Sequence, residues 1–481
     1  MKLFHPLLIL RILSTILLIE SISFLFCIPV CKVYNEPAAP FILSALITFS
    51  VSVLFSLIAH NAKKENFSNR DGYIVVTFAW IIFIIGGTLP YMLSGVIPSF
   101  TDAFFECSSG FTTTGSTIIP DLDIVPRSIM FWRSFTHWIG GLGIIALVII
   151  ILPSLRITGY QLFTLESSLK EKILPKTKSI GYRVLIIYLG LTISEILFLV
   201  AGDMDLFESI CHTFGTVATG GFSVKNDSLV SYSSYSQYVV MIFMFFSGVS
   251  QVVYYYLIKL NFNKVRHNEE LRYYFLITLF AGVLTSAILY VNFTYSPEKA
   301  FRDAFFNVIS IITTTGFSST DYLFWPLSAV MIIFLLLFMG ASTGSTTGSI
   351  KVARHMVVLK SIKSSFIKLI HPNALANIRV NGRIVSEKTC ISIISFIMIY
   401  LFIFLMGTIL IVITGSDVIT AASSVAASLG NIGPGLAHAG PMSNYAFFPD
   451  SAKTIFSFLM IIGRIEIVAI LTLFTRSFWK L

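Results

Sequence analysis

Residues Ile391–Ile413 form one run without a single charged side chain, and a bilayer core of ~30 Å takes about 20 apolar residues per helical span. Further apolar runs include Val184–Val200 and Val239–Phe246. Only 12% of the chain is charged and 55% is hydrophobic, whereas a soluble protein keeps about a quarter of its residues charged. The mean hydropathy of +0.84 agrees. These features define an all-α polytopic membrane protein. The run Ile12–Val30 behind Lys2 and Arg11 is long for a signal sequence and ends in no small-x-small cleavage site, so it reads as a retained first span. Five cysteines show no metal-ligand spacing: Cys27 and Cys31 are helix neighbours, and Cys107, Cys211 and Cys390 are scattered.

The net charge of +9 is unevenly placed. Basic residues gather in alternate loops: Lys63, Lys64 and Arg70; Arg156 through Arg183; Lys259 through Arg272; Lys351 through Lys388; and finally Arg476 and Lys480. The loops between them carry Asp121, Asp123, Asp203, Asp227, Asp321 and Asp450. The positive-inside rule then puts both termini and the basic loops in the cytoplasm. The basic excess is a topology signal rather than a nucleic-acid patch.

About ten spans fit this orientation. Two precede residue 62, and eight form pairs near 72–96 with 128–152, 183–201 with 236–259, 272–292 with 325–348, and 389–414 with 452–475. The outside segments within the pairs resemble one another, the mark of an internal repeat. Asp102-Ala103-Phe104-Phe105 leads to Thr112-Thr113-Thr114-Gly115, and Asp303-Ala304-Phe305-Phe306 leads to Thr313-Thr314-Thr315-Gly316. The second segment runs from Asp205 to Ala218-Thr219-Gly220-Gly221-Phe222, and the fourth from Asp417 to Asn431-Ile432-Gly433-Pro434-Gly435. The expected organisation is a two-helix extension (1–68), repeats at 69–155, 179–262, 270–365 and 389–481, and a cytoplasmic linker over 366–388. All four repeats share one orientation, so their symmetry axis follows the membrane normal, unlike the inverted repeats of many alternating-access transporters.

Each outside segment is too short to span the membrane and suits a re-entrant half-helix. Irregular backbone at membrane depth is tolerated where it lines a cavity or is buried in protein. Four half-helices ending at glycine-bearing turns would collect backbone carbonyls on one axis. Such carbonyl rings replace the hydration shell of an alkali ion and favour potassium. A single Thr-Thr-Thr-Gly would be weak evidence; four related copies on one side, each the re-entrant loop of a helix–re-entrant loop–helix repeat, are strong.

The chain resembles the membrane subunit of the Trk/Ktr/HKT potassium transporter superfamily, in its bacterial TrkH/TrkG-type branch. The matching motifs are Ser108-Ser109-Gly110-Phe111-Thr112-Thr113-Thr114-Gly115, Arg133-Ser134 through His137-Trp138-Ile139-Gly140-Gly141-Leu142-Gly143, Ala218-Thr219-Gly220-Gly221-Phe222, Thr314-Thr315-Gly316-Phe317 and Asn431-Ile432-Gly433-Pro434-Gly435. The resemblance implies gated, channel-like potassium uptake. It also implies a selectivity filter of Thr113, Thr114, Gly115, Ala218, Thr219, Gly220, Thr314, Thr315, Gly316, Asn431, Ile432 and Gly433. Glycine at all four selectivity positions (Gly115, Gly220, Gly316, Gly433) implies preference for potassium with imperfect rejection of sodium. The bound species expected is potassium on filter carbonyls, with no organic cofactor in this chain.

The second helix of the third repeat is interrupted at Gly340-Ala341-Ser342-Thr343-Gly344-Ser345-Thr346-Thr347-Gly348-Ser349-Ile350-Lys351. Glycines at 340, 344 and 348 have the spacing of a close-packing helix face. The hydroxyls between them fit a polar insert facing the axis better, because lipid would not tolerate them. By resemblance, 340–351 is an intramembrane gating loop formed by Gly340, Ser342, Gly344, Ser345, Thr346, Gly348 and Lys351 and held by Arg464. The family usually has glycine at Ala341, Thr347 and Ser349, which implies a less mobile loop here. A charge as deep as Arg464 faces a partner or an aqueous cavity. Arg133 and His137, four apart on one helical face, read as structural anchors, while Glu20 and Glu195 are intramembrane acids without an assigned partner.

Lys351–Lys388 is a basic segment suited to anionic lipid or a docked regulator. The resemblance implies a homodimer bound by a cytoplasmic, nucleotide-binding, TrkA-like ring. This chain carries no Walker A run or Gly-x-Gly-x-x-Gly fingerprint of its own. A symporter coupled to protons or sodium is the alternative transport mechanism. An enzyme is disfavoured, since none of the eight histidines has His-Glu-x-x-His spacing.

Overall fold

The computed structural model describes residues 5–60, 68–146, 177–374, 376–465 and 467–479. The basic residues Lys63, Lys64, Arg156, Lys170, Lys172, Lys176 and Lys480, the end of the first repeat and Glu466 lie outside them.

Two amino-terminal helices, Pro6–Leu25 and Ala39–Ile58, pack against each other through small and hydroxyl side chains. The Ser21 hydroxyl donates to the Ala45 carbonyl at 2.9 Å, and that of Ser52 to Ser14 at 2.6 Å. Small residues let apolar helices approach closely where no hydrophobic drive separates protein from lipid.

Four units follow, each with a leading helix, a short helix and a returning helix. The leading helices are Asn69–Gly87, Thr177–Val200, Glu269–Asn292 and Glu387–Ile413. The last three turn exposed apolar side chains such as Leu197, Phe280 and Phe402 outward, as helices facing lipid do. The short helices are Phe100–Phe111, Leu206–Val217, Pro297–Ile312 and Val418–Gly430. Each starts at a Ser or Asp cap, namely Ser99, Asp205, Ser296 and Asp417, whose side chain accepts a backbone N–H three residues on. Such caps satisfy donors that the helix itself leaves open. The carboxyl-terminal halves of the short helices are enclosed, with Phe111, Val217, Ile312 and Ala426 each at 0–1% exposure.

Six helices among the described residues are long and apolar enough to cross a membrane, or seven if a bent pair counts as one span. These are the two amino-terminal helices, the four leading helices and the returning helix of repeat two. The other three expected spans are present as helix in altered form. Arg127–Ala146 carries Arg133 and His137, Leu327–Leu336 gives way to the 340–351 loop, and Asp450–Arg464 is separated from Ile467–Leu473. In repeat two, Ser234–Ser247 and Gln251–Ile258 meet at 97°. The cause lies in repeat three, because the Gly248 carbonyl accepts the Ser342 N–H at 3.1 Å. A Cβ on Gly248 would stand 2.9 Å from the Ala341 Cβ. The helix breaks where the next repeat's loop docks.

Strand structure is confined to two small pairs among the described residues. Met339–Gly340 pairs in parallel with Ile350–Lys351, closing the base of the loop between them. Arg379–Val380 pairs antiparallel with Arg383–Ile384 around Asn381 and Gly382, both at positive φ, the geometry of a two-residue hairpin turn.

Candidate functional site

All four short helices end in the same way. Thr113, Thr219, Thr314 and Asn431 take left-handed backbone angles, with φ of 51°, 56°, 54° and 53°. The N–H of each following residue reaches back five positions, from Thr114 to Ser109, Gly220 to Gly215, Thr315 to Ser310 and Ile432 to Ala427, at 2.7–2.9 Å. This is a Schellman closure. Asparagine tolerates it, but threonine is β-branched and disfavours positive φ, at a cost of ~1–3 kcal/mol per site. Three strained threonines in equivalent places mark a conformation that the surrounding fold enforces.

Next in each loop comes a glycine at positive φ: Gly115, Gly221, Gly316 and Gly433. An ideal Cβ on Gly115 would lie 2.1 Å from the Gly220 carbonyl oxygen, and one on Gly221 1.9 Å from that of Thr315. On Gly316 it would lie 2.0 Å from the Ile432 oxygen, and on Gly433 2.6 Å from that of Thr114. The contacts run from repeat one to two, two to three, three to four, and four back to one. Four loops thus close a ring, each presenting a carbonyl to its neighbour's glycine, and only glycine fits the backbone and the contact together. The four glycines line one pocket of about 70 Å³ together with Ser116, Arg133 and Tyr445.

This ring corrects the internal alignment. Thr113-Thr114-Gly115 corresponds to Thr219-Gly220-Gly221, one position later than the expected Ala218-Thr219-Gly220. Ala218 is the cap residue of its helix, and a Cβ on Gly141 would meet its Cβ at 3.1 Å. Asp205 is a helix cap, whereas Asp102 stands three residues inside its helix, where repeat two has Glu208, and Glu208 to Gly221 repeats the spacing of Asp102 to Gly115. The pair Gly221-Phe222-Ser223 and Gly316-Phe317-Ser318 carried the right register in the sequence.

The segment after each glycine in repeats one to three is fastened to a polar side chain of its own short helix. Glu106 accepts from the Ile118 N–H at 2.9 Å and from the Thr117 hydroxyl. His212 shares a hydrogen bond with Ser223 at 3.0 Å, and Asn307 donates to Ser319 at 3.3 Å. Glu106, His212 and Asn307 each stand nine residues before their ring glycine. The Gly433 carbonyl instead accepts from Ser116 and Tyr445, both at 3.0 Å. Arg133 joins repeats one and two. It is 2% exposed, donates from Nε to Glu106 at 2.7 Å and from Nη1 to the Ser223 carbonyl at 2.7 Å, and lies 3.6 Å from the Phe222 ring centroid. His137, one turn further along that helix, packs edge-to-face on Phe222 and backs Gly220. Neither of its ring nitrogens has a hydrogen-bond partner among the described residues.

The 340–351 loop lies against the left-handed residues. The Gly348 N–H donates to Thr314 Oγ1 at 2.8 Å, and the Thr219 hydroxyl donates to Thr346 Oγ1 at 3.2 Å. Arg464 donates from Nη1 to the Thr346 carbonyl at 2.7 Å, while its Nε and Nη2 have no hydrogen-bond partner among the described residues. Within the loop, Ser345 donates to the Ser342 carbonyl at 2.6 Å, Gly344 has φ 80°, and Lys351 donates to the Thr347 carbonyl and hydroxyl. Gly340 abuts the Gly348 carbonyl, at 2.1 Å from an ideal Cβ. The loop is thus bonded to the second and third ring loops and abuts the fourth, where an ideal Cβ on Gly348 would lie 2.1 Å from the Gly430 carbonyl oxygen, while Asn431 ties the fourth to the first by donating to Thr114 Oγ1 at 3.0 Å. Glu20 and Glu195 stand apart from these contacts. Both are fully buried without hydrogen-bond partners among the described residues, with Glu20 pressed on Gly86.

The spans and the enclosed loops make the chain an integral membrane protein. A family model described as TrkH, a cation transport protein, matches residues 40–481. The Trk system potassium uptake protein TrkH of Halomonas elongata is 33% identical, over 98% of this chain and 99% of that protein. TrkG of Escherichia coli, another Trk system potassium uptake protein, is 31% identical over 91% of this chain and 92% of its own. The crystal structure of the potassium transporter TrkH from Vibrio parahaemolyticus matches with a TM-score of 0.88 at 31% identity, covering 98% of this chain and 99% of that one. The chain belongs to the TrkH family of cation transport proteins.

Proposed function

We propose that this chain takes up potassium through the ring, which acts as a selectivity filter, and that the 340–351 loop gates the path beneath it. The observation that carries the reading is the cyclic set of contacts between the glycines at 115, 221, 316 and 433 and the carbonyls of Gly220, Thr315, Ile432 and Thr114. A closed set of rigidly held carbonyls suits a dehydrated alkali cation. The carboxyl ends of four short helices converge on the same place, and their partial negative charge favours a cation there. The relatives' names as potassium uptake proteins agree with that ion.

Gating by the loop is supported by its bonds to Thr219 and Thr314 directly beneath the ring. A fixed positive charge at Arg464 beside it opposes cation passage while the loop stays in place. We place the chain in the bacterial inner membrane with both termini cytoplasmic, as a homodimer whose cytoplasmic side meets a nucleotide-binding, TrkA-like ring. The helix Val352–Ile370, which follows the loop, exposes Leu359, Phe366 and Ile370 among its lysines, a surface suited to such docking.

The test is flux from the purified chain in liposomes. Potassium-selective movement driven by its own gradient supports the proposal. Movement that needs a proton or sodium gradient supports a coupled symporter instead. Cation movement through neither the native chain nor the Arg464→Ala variant would overturn the assignment of the path.

A further inference from the structure

Glu269 and Glu270 open the leading helix of repeat three, behind the Asn268 cap. Neighbouring residues on a helix point in different directions, and these two reach different parts of the protein. Glu270 is 2% exposed, and its carboxylate accepts the Thr343 N–H at 2.5 Å. Thr343 belongs to the 340–351 loop, three residues before Thr346, where Arg464 binds. Glu269 turns to the hairpin at 379–384. Its own N–H donates to the Asn381 side chain at 2.8 Å, and its carboxylate accepts the Asn381 N–H at 3.1 Å. Lys360, on the helix that leaves the loop, donates to the Glu269 carboxylate and to the Arg379 carbonyl at 2.7 Å.

One helix start thus grips the loop with one carboxylate and the hairpin with the next. The other holds on the loop differ in kind. Ser342 and Gly348 donate to neutral acceptors, and the Arg464 contact uses a loop carbonyl. Glu270 supplies a charged acceptor to a loop N–H, and such bonds are roughly twice as strong as neutral ones.

We propose that Glu270 is a positioning residue that holds the loop beneath the ring, and that the 379–384 hairpin, acting through Glu269, Asn381 and Lys360, keeps Glu270 in place. This rests on the reading of the loop as the gate. It makes the hairpin the point from which a cytoplasmic event would release the loop.

The full-length chain in liposomes tests it with two readouts: potassium flux, and labelling of a Thr343→Cys variant by a charged thiol reagent. The background is low because all five native cysteines are buried. Glu270→Ala is expected to raise basal flux and labelling by about tenfold or more, the factor carried by one hydrogen bond to a charged group. Glu270→Gln keeps an oxygen acceptor of the same reach and is expected to recover most of the native values. Asn381→Ala, on the hairpin, is expected to raise both in the same direction, and it decides the matter if Glu270→Ala does not fold. While Arg464→Ala still raises flux, unchanged flux and labelling in a folded Glu270→Ala variant overturns the role of Glu270, and unchanged values in Asn381→Ala overturn the control by the hairpin. Unchanged flux in all three variants overturns the gate as well.

Discussion

The two adjacent glycines of repeat two offer a direct check on the ring. In Gly221→Ala the new methyl would start 1.9 Å from the Thr315 carbonyl oxygen, and real Cβ contacts stay beyond 3.0 Å, so the loop backbone of repeat three must move by at least 1.1 Å. The residue also has φ 79°. Left-handed backbone costs an alanine ~1–2 kcal/mol and overpacking a further ~1–3 kcal/mol, so the combined loss is about 2–5 kcal/mol. Backbone is in the way, so no side-chain change relieves it.

Gly220→Ala differs. Its methyl would start 2.0 Å from His137 Nδ1, a side chain, and the residue is outside the left-handed region. The cost is overpacking alone, ~1–3 kcal/mol, and His137→Ala opens the space. The assay is the thermal midpoint in detergent together with the potassium-to-sodium permeability ratio in liposomes. Both single variants should lose stability and selectivity, and His137→Ala should restore Gly220→Ala but leave Gly221→Ala impaired. A native-like Gly221→Ala, beside a Gly220→Ala that His137→Ala cannot rescue, would return the register to Ala218-Thr219-Gly220 and refute the ring as drawn.

Further expectations concern the supports of the ring and the loop. Arg133→Gln strands the Glu106 carboxylate, a loss of roughly 3–5 kcal/mol for a broken buried pair, and adding Glu106→Gln should recover part of it in a double-mutant thermal-melt cycle. Arg464→Ala should raise potassium flux several-fold in liposomes, and Thr314→Val, which removes the acceptor of the Gly348 N–H, should raise it less; a fall in both would contradict the gate. In the loop outside the spans, the Asn226 side-chain amide and then the Asp123 N–H hold the Asp121 carboxyl below its ordinary range. A depressed folded value stabilises the turn above the unfolded value and is lost as pH falls through the folded one. Amide protection at Asp123 should therefore persist from neutral pH past the ordinary ~3.9 and disappear only below it.

Features that depend on nearby residues were readable from the chain alone. The apolar spans, the four repeats and their common orientation follow from local composition, and so do the polar residues inside the third repeat's returning helix. Asn431 in the left-handed position is also locally natural, since asparagine tolerates it. What stayed hidden depends on contacts between repeats. Nothing near Gly248 announces a 97° bend, because the group that takes its carbonyl is Ser342. Arg133 and His137 looked like one polar face. Only the fold shows that Arg133 binds Glu106 and Ser223 while His137 supports Gly220. The grip of Glu270 on Thr343 spans 73 residues and has no motif. Repeat two has two adjacent glycines, and only the contacts between repeats show that Gly221 rather than Gly220 occupies the ring position.

In the proposed filter the carbonyls of Thr114, Gly220, Thr315 and Ile432 face one cation site on the axis. Anomalous diffraction from crystals grown in rubidium, a potassium substitute with a usable absorption edge, tests it most directly. A filter of this kind gives a peak on the axis, equidistant from the four carbonyl oxygens, that weakens when potassium is added and not when sodium is. A rubidium peak elsewhere in the membrane region, with the ring axis empty, would contradict it.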